Sequence, residues 1–536
     1  MEWYPAMRDS GRASSIDVLK PYSTQDVSVW RKRGTWLLIA LLAVLCLPYG
    51  FFYALFTPYL MVMFVSPVAI LAALVIWALP DLKRAPTGAL APLAFTFLTA
   101  LILWPNYLAI ALPGLPWITM IRLTAFPLTL VLLVCTSISA EFRQRLAEAL
   151  NATPVIWKAL FGLAVIQCLS IAFSSNPVAS VQKLIVAQTA WTAVFFASVY
   201  VFLKPGRVER WAIIVWLMAL IVGTLAILEA RQMRPLWGAY IPNFLKVEDE
   251  VVQRILAGSS RSTTGQYRTQ ATFSTALGLS EYCALAMPFV LHFAVEGKRN
   301  FARIAAALTI PFLLYVILLT DARLGLLGFF LTLMGYLFLW AVLRWAQTRQ
   351  SLAGPATVLV YPILFLVFAA SSFLVGRIRT KVWGTGQYNA SNLARMNQAE
   401  AGLPMILDHP AGHGIGQGSS ALGYTNAAGV QTIDSYFLLV GLDVGILGLV
   451  AYLTLLGAGI VYAVKYLFLP EARSRETRLL IPLAVCVVNF AAIKVFFAND
   501  DNHPLIFMVL AAISALVYRV RLKIDKERPT TSANGQ

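Results

Sequence analysis

RIRTKVWGTGQYNASNLARMNQAEAGLPMILDHPAGHGIGQGSSALGYTNAAGVQTIDSYFLLVGLDVGILG, residues 377–448, joins two unlike textures. Up to about residue 433 it is rich in glycine, histidine and arginine; from Ser435 on it is almost wholly apolar. Backbone without regular structure cannot face lipid, so a polar stretch of this length predicts an outward loop that feeds straight into a membrane-spanning helix. A long polar loop in a chain otherwise made of apolar helices is also where chemistry can be placed.

The rest of the chain agrees with that reading. Of 536 residues, 59% are hydrophobic and 12% charged, and the mean hydropathy is +0.73. That composition belongs to a polytopic membrane protein and leaves no room for a large soluble domain. Apolar runs of roughly twenty residues recur from Thr35 to about Tyr518, the length that spans a hydrocarbon core. The expected spans lie near 35–56, 59–80, 88–110, 116–138, 157–174, 182–203 and 211–229, then on either side of EGKRNFAR, at 321–340 and 355–376, and from 435 onward. The last two are joined by NDDNH, residues 499–503, read as a tight polar turn. The expectation is an all-α polytopic protein of about fourteen transmembrane helices with both termini cytoplasmic. Residues 1–34 form a cytoplasmic tail without a small-residue cleavage site, 35–520 the transmembrane domain, and 521–536 a second cytoplasmic tail.

The net charge of +17 does not point to nucleic acid. Most of the 42 Lys and Arg fall in the tails and in alternate short connections, which is the positive-inside pattern of a multi-pass membrane protein. The five cysteines sit in apolar stretches with no paired or metal-type spacing and are read as packing.

Two long outer loops, about 230–275 and 377–433, break the charge pattern. The first carries Arg231, Arg234, Arg254, Arg261 and Arg268. Arginine presents a planar fork that matches phosphate oxygens, so a polyanionic ligand at the outer face is one reading, and solvated loop charge the other. Arg323, in TDARLGLLGFF, falls in the first turn of an apolar span, where a charge needs an interface, a partner or a watery cavity; Asp321 is a candidate partner, and Arg122 in WITMIRLTAF is a similar case. Within the main loop, SNLARMNQAEAGLPMI predicts a short surface helix capped by Ser391 or Asn392, with Arg395 on its polar side. In DHPAGHGIGQGSS, Gly412, Gly414, Gly416 and Gly418 permit tight backbone that either approaches a phosphate or sugar or simply turns. His409 and His413 lack a strong third ligand, so neither a metal nor a cofactor is expected.

In order, these pieces resemble the O-antigen ligase and polysaccharide polymerase superfamily of bacterial envelope proteins. The likeness runs from about Arg268 to Leu449: Arg268 to Phe273 leading into a span, Asp321 to Leu324 where the family usually has Ser-Arg, Arg395 before an amphipathic turn, and Pro410 to Gly418 as the family's Pro-x-x-Gly-x-Gly stretch. Asp434 and Ser435 are followed by nine residues and Gly445-Ile-Leu-Gly448; ligases of the group carry His, then Asn, Ser or Gln, at that spacing. The resemblance implies a glycosyltransferase that polymerises or transfers an oligosaccharide carried on undecaprenyl diphosphate at the periplasmic face, without metal. It implies membrane lipid as surroundings and a chain-length regulator or export proteins as further partners. On it, Arg268, Arg323, Arg395 and Arg122 are the expected diphosphate contacts. The position of the ligase histidine is Asp434, the expected base, with His413 second; a helix N-cap is the alternative role for Asp434. Trp383 and Tyr424 are candidates to stack on sugars. A flippase or other transporter of the same lipid-linked sugar is the rival function.

Overall fold

The computed structural model describes residues 85–527, apart from 112–116, 248, 261–264, 348–351, 375, 377–388 and 426–428, together with 72, 75 and 76. The N-terminal tail, the first expected span, all of the second but 72, 75 and 76, residues 528–536 and Trp383 lie outside these residues, whereas residues 521–527, expected in the second tail, continue the last helix.

The described chain is helical throughout, with two short hairpins. It runs α1 (Leu90–Leu103), β1 (Ala109–Ile110), β2 (Ile118–Thr119), α2 (Met120–Ile138), α3 (Ala140–Asn151) and α4 (Pro154–Ser170). Next comes α5, Pro177–Phe202, continuous through a π-helical turn at Gln188–Thr192. There follow α6 (Arg207–Gln232), α7 (Glu250–Leu256), β3 (Ser259–Ser260), β4 (Tyr267–Arg268), α8 (Ala276–Glu296), α9 (Asn300–Leu319) and α10 (Arg323–Gln347). The chain ends with α11 (Ala353–Leu374), α12 (Asn389–Asp408), α13 (Gly418–Leu422), α14 (Tyr436–Leu467), α15 (Leu480–Lys494) and α16 (His503–Glu527). Each hairpin is antiparallel, β1 on β2 and β3 on β4. Ten of the described helical segments are long and apolar enough to cross a membrane, which gives a multi-pass membrane architecture. Thr87–Leu103 and Gly354–Ile363 are apolar but shorter than that.

Local sequence starts these helices where they begin. Asn176 accepts a hydrogen bond from Ala179 N at 3.1 Å, with Pro177 in the first helical position of α5, and Thr275 does the same for Gly278 N at α8. Helix α8 is the centre of the bundle, packing on α6, α9, α10 and α15. Small residues let α10 come close: a Cβ on Gly325 would fall 2.0 Å from Ser280 Oγ, and one on Gly328 2.5 Å from Ala284 Cβ. Cys135, Cys283 and Cys486 are packed as expected, whereas Cys168 is exposed.

The two ends of the bundle differ. At one end the short connections are stitched by ion pairs: Arg519 and Arg478 hold Glu476 and Glu296 at 2.8 Å each, and Arg475 approaches Glu209 at 3.4 Å. At the other end lie β1 to β4, α7, α12 and α13, all in the two long loops or in the connection between α1 and α2.

Two elements differ from expectation. The surface helix in the main loop is 20 residues long, Asn389–Asp408. Its strong helix formers run on past Met396, and Gly402 packs where a Cβ would meet Leu438 at 2.9 Å. The apolar run from Tyr436 to Leu467 is one span by length, yet its backbone is broken at Gly445, which has φ 72° and ψ −174°.

Candidate active site

The break at Gly445 explains the glycine-rich segment before it. Interrupting a helix frees carbonyls on one side and N–H groups on the other, and each needs a partner away from water. Residues 410–418 supply them: His413 N donates to Leu442 O at 2.8 Å, Gly414 N to Asp443 O at 3.0 Å, and Ile446 N to Pro410 O at 3.2 Å. The Asp443 side chain joins in, accepting Gly418 N at 2.6 Å and a backbone hydrogen bond from Gly416. Here glycine is required by contact: a Cβ on Gly412 would lie 2.5 Å from Asp443 O, and one on Gly445 1.9 Å from Pro410 O. The alternate glycines therefore clasp a broken helix, and the anion they cradle is the chain's own Asp443. His413 belongs to this clasp, with Nδ1 3.1 Å from Leu442 O and its ring 4.7 Å from that of His409.

The start of α14 removes one of the two readings of Asp434, the N-cap. The N-cap is Ser435, whose hydroxyl accepts Leu438 N at 3.5 Å. Asp434 is left to a different partner. Its carboxylate Oδ2 lies 3.5 Å from Arg395 Nε, an ion pair between half-buried side chains, and its N–H donates to Gln398 Oε1 at 2.8 Å. Burial raises the Asp434 carboxyl above the ordinary carboxylate range, and Arg395 beside it holds that rise back. Arg395 also lies over the ring of Phe496, 5.6 Å from its centre.

The other expected arginines approach along α12 and the α9–α10 turn. That turn is tight: Thr320 caps α9, Asp321 takes a positive φ of 47°, and Arg323 opens α10. Arg323 Nη2 donates to Asn392 Oδ1 at 3.3 Å, one turn of helix from Arg395. Arg268 Nε donates to Thr320 O at 3.0 Å, which places β4 against the same turn. Buried Glu229, on α6, holds that strand in place by accepting Tyr267 OH at 2.7 Å, Gln270 N at 3.1 Å and Ala271 N at 2.7 Å. Ala271 adopts a strained φ of 47° there. Arg268, Arg323, Arg395 and Asp434 are thus linked through neighbouring elements at one end of the bundle. Arg122 is placed apart from this chain of contacts: it sits on α2, where Nη1 donates to Trp117 O at 2.5 Å.

The part of the chain that holds Arg323, Arg395 and Asp434 has a counterpart among known protein families. Part of the chain is similar to the O-antigen ligase family. Residues 307–453 match the family model Wzy_C, described as O-Antigen ligase. The match runs from α9 into α14, across the glycine clasp, and shows the resemblance to the O-antigen ligase and polysaccharide polymerase superfamily. O-antigen ligase family members are ligase- or polymerase-type glycosyltransferases of envelope glycan assembly. No match to a curated protein was found.

Several residues beside the O-antigen ligase segment were not singled out by sequence reasoning. Lys183 of α5 forms an ion pair with Asp500, and both line a small cavity with Asp443, Tyr436 and Tyr452. Burial alone would raise the Asp500 carboxyl, but Lys183, with smaller help from His503 and Lys494, holds the group below its ordinary value. The NDDNH turn is more than a connection: Asp501 accepts Ser274 OH at 2.6 Å, and His503 Nε2 lies 2.9 Å from Tyr452 OH. Lone charges in apolar stretches, paired over hundreds of residues, leave no periodic or motif signal. Among the described residues no group of three or more His, Cys, Asp or Glu could hold a metal ion.

Proposed function

We propose that this protein is a bacterial inner-membrane glycosyltransferase that polymerises oligosaccharide repeats carried on undecaprenyl diphosphate, with the end bearing α12 facing the periplasm. The observation that carries this reading is the pairing of Arg395 with Asp434 in line with Arg323 and Arg268. Asp434 takes the proton of the attacking sugar hydroxyl; its elevated pKa gives it the basicity that an ordinary carboxylate lacks. The hydroxyl oxygen bonds to the donor's anomeric carbon as the bond to diphosphate breaks, and the electron pair leaves with the diphosphate. Arg395, Arg323 and Arg268 neutralise the charge developing on that leaving group, the role that a magnesium ion fills elsewhere, and Arg122, held apart on α2, has no part in it. Pairing with Arg395 keeps the base oriented until acceptor and donor enter.

Ligation of the glycan to a different acceptor uses the same groups and differs only in which hydroxyl is presented. Membrane lipid surrounds the prenyl tail, and a chain-length regulator or export proteins would act on the product. A transporter reading draws on the broken helix α14, since interrupted spans often line transport sites. Its freed peptide groups are bonded to residues 410–418, which leaves them unavailable to cargo.

The deciding experiment incubates purified protein with an undecaprenyl-diphosphate-linked repeat unit in the presence of EDTA. Longer glycan together with released undecaprenyl diphosphate supports polymerisation. With the native repeat supplied, absence of both products while lipid-linked repeat crosses vesicle membranes would replace this reading by transport.

A further inference from the structure

The least expected charge in the bundle is Lys494. It is the last residue of α15 and fully buried, with Nζ 2.8 Å from Glu281 Oε1 on the central helix α8, itself fully buried. Such a pair gains little stability over an apolar one of similar shape, and its best-attested use is to fix one arrangement among several. Both partners are held further. Asn502 donates to Glu281 Oε2 at 2.9 Å and to Gly278 O at 3.1 Å, while Lys494 donates to Asn499 O. The ammonium also lies 5.0 Å from the ring centre of Phe490, 5.1 Å from Phe497 and 5.6 Å from Tyr436.

The elements fixed by this pair are the ones that carry the site. Two residues beyond Lys494, Phe496 lies under the Arg395 guanidinium. Tyr436, against the Lys494 ammonium, is two residues beyond Asp434. Asp501, in the NDDNH turn that follows, accepts a hydrogen bond from Ser274 and so reaches the segment that bears Arg268. We infer that the turn Lys494–Phe497, anchored by the Lys494–Glu281 pair, positions the Arg395–Asp434 pair, with Phe496 as the aromatic platform that holds the Arg395 guanidinium toward Asp434. Phe496 and Lys494 are positioning residues, and both lie outside residues 307–453. This inference rests on the proposed roles of Arg395 and Asp434.

Phe496 is exposed enough for substitution without a buried cavity, so Phe496→Leu and Phe496→Tyr form the test in the full-length protein. Leucine keeps an apolar contact and lacks the ring face that attracts a guanidinium; tyrosine keeps it. The expected result is a fall in kcat of about five- to tenfold for Phe496→Leu, with donor KM within about twofold and near-complete recovery in Phe496→Tyr. Equal activity of the two variants would overturn the inference, because ordinary packing does not distinguish them in this way. A cryo-EM map of Phe496→Leu gives a readout independent of turnover. Displacement of Arg395 from Asp434 supports positioning, and an unchanged pair overturns it, even if wild-type protein proves inert and the glycosyltransferase reading itself fails. The neutral double variant Glu281→Gln/Lys494→Met, which leaves no lone charge behind, is expected to remain monodisperse and to lose kcat as Phe496→Leu does. Wild-type kcat in that folded variant would remove the anchor from the proposal.

Discussion

Arg395 Nε stands 3.5 Å from the carboxylate of Asp434, joining the middle of α12 to the residue just before the cap of α14. The contact is an ion pair without hydrogen-bond geometry at Nε. On the proposed mechanism, each group can then meet a substrate atom without first breaking a strong bond.

Loss of either partner should be read in turnover. Asp434→Ala is expected to lower kcat by about 10²- to 10⁴-fold, the range for a general base, measured as polymer formed per protein under saturating donor. Asp434→His, which restores the residue type that ligases of the family carry, is expected to recover part of that loss.

The pH profile follows from the environment of Asp434. Its carboxyl is raised by burial, so the base form is lost as pH falls through a value above the ordinary carboxylate range, and the acid limb of kcat lies there. Arg395 opposes the rise, so Arg395→Gln should move the limb to still higher pH. Rates of the two proteins across a pH series check the sign; a shift to lower pH would contradict it.

Arg323→Ala is expected to cost about 10²-fold in kcat, as for removal of one preorganised donor at a developing charge. Arg323→Lys keeps the charge and loses the planar fork, so partial activity is expected. Arg122→Ala, on α2, is expected to affect the rate less than either. A parallel assay of the three variants orders them.

The clasp on α14 predicts a stability effect. Gly445→Ala places a Cβ against Pro410 O at a backbone angle that disfavours side chains, and a loss of at least about 2 kcal/mol is expected from the conformation alone. Asp443→Ala removes the acceptor for Gly418 N and is expected to cost about 1–3 kcal/mol, more than Asp443→Asn, which keeps one oxygen. Thermal unfolding of detergent-solubilised protein measures both.

The apolar runs that form spans were legible because hydrocarbon length writes itself into the chain. So were the individual arginines and Asp434, since a charge beside an apolar run asks for a reason. What the glycines of residues 412–418 do was not legible: alternate glycine suits a ligand cradle and a backbone clasp alike, and only the broken helix opposite separates them. Nor were Glu229, Lys183 and the Lys494–Glu281 pair. Each is a single polar residue in an apolar run, and its partner is chosen by tertiary packing across large sequence separations.

The clasp also sets an order for biogenesis. As one unbroken helix, the 32 residues of α14 would extend about 48 Å, well beyond a hydrocarbon core of about 30 Å. Its interruption is completed only by residues 410–418, which are synthesised before α14 exists. That segment must wait, unpartnered, until the downstream span has been inserted, and then fold back onto it. A nascent chain arrested before Leu442 would already contain Arg323 and Arg395 yet have no clasp to close.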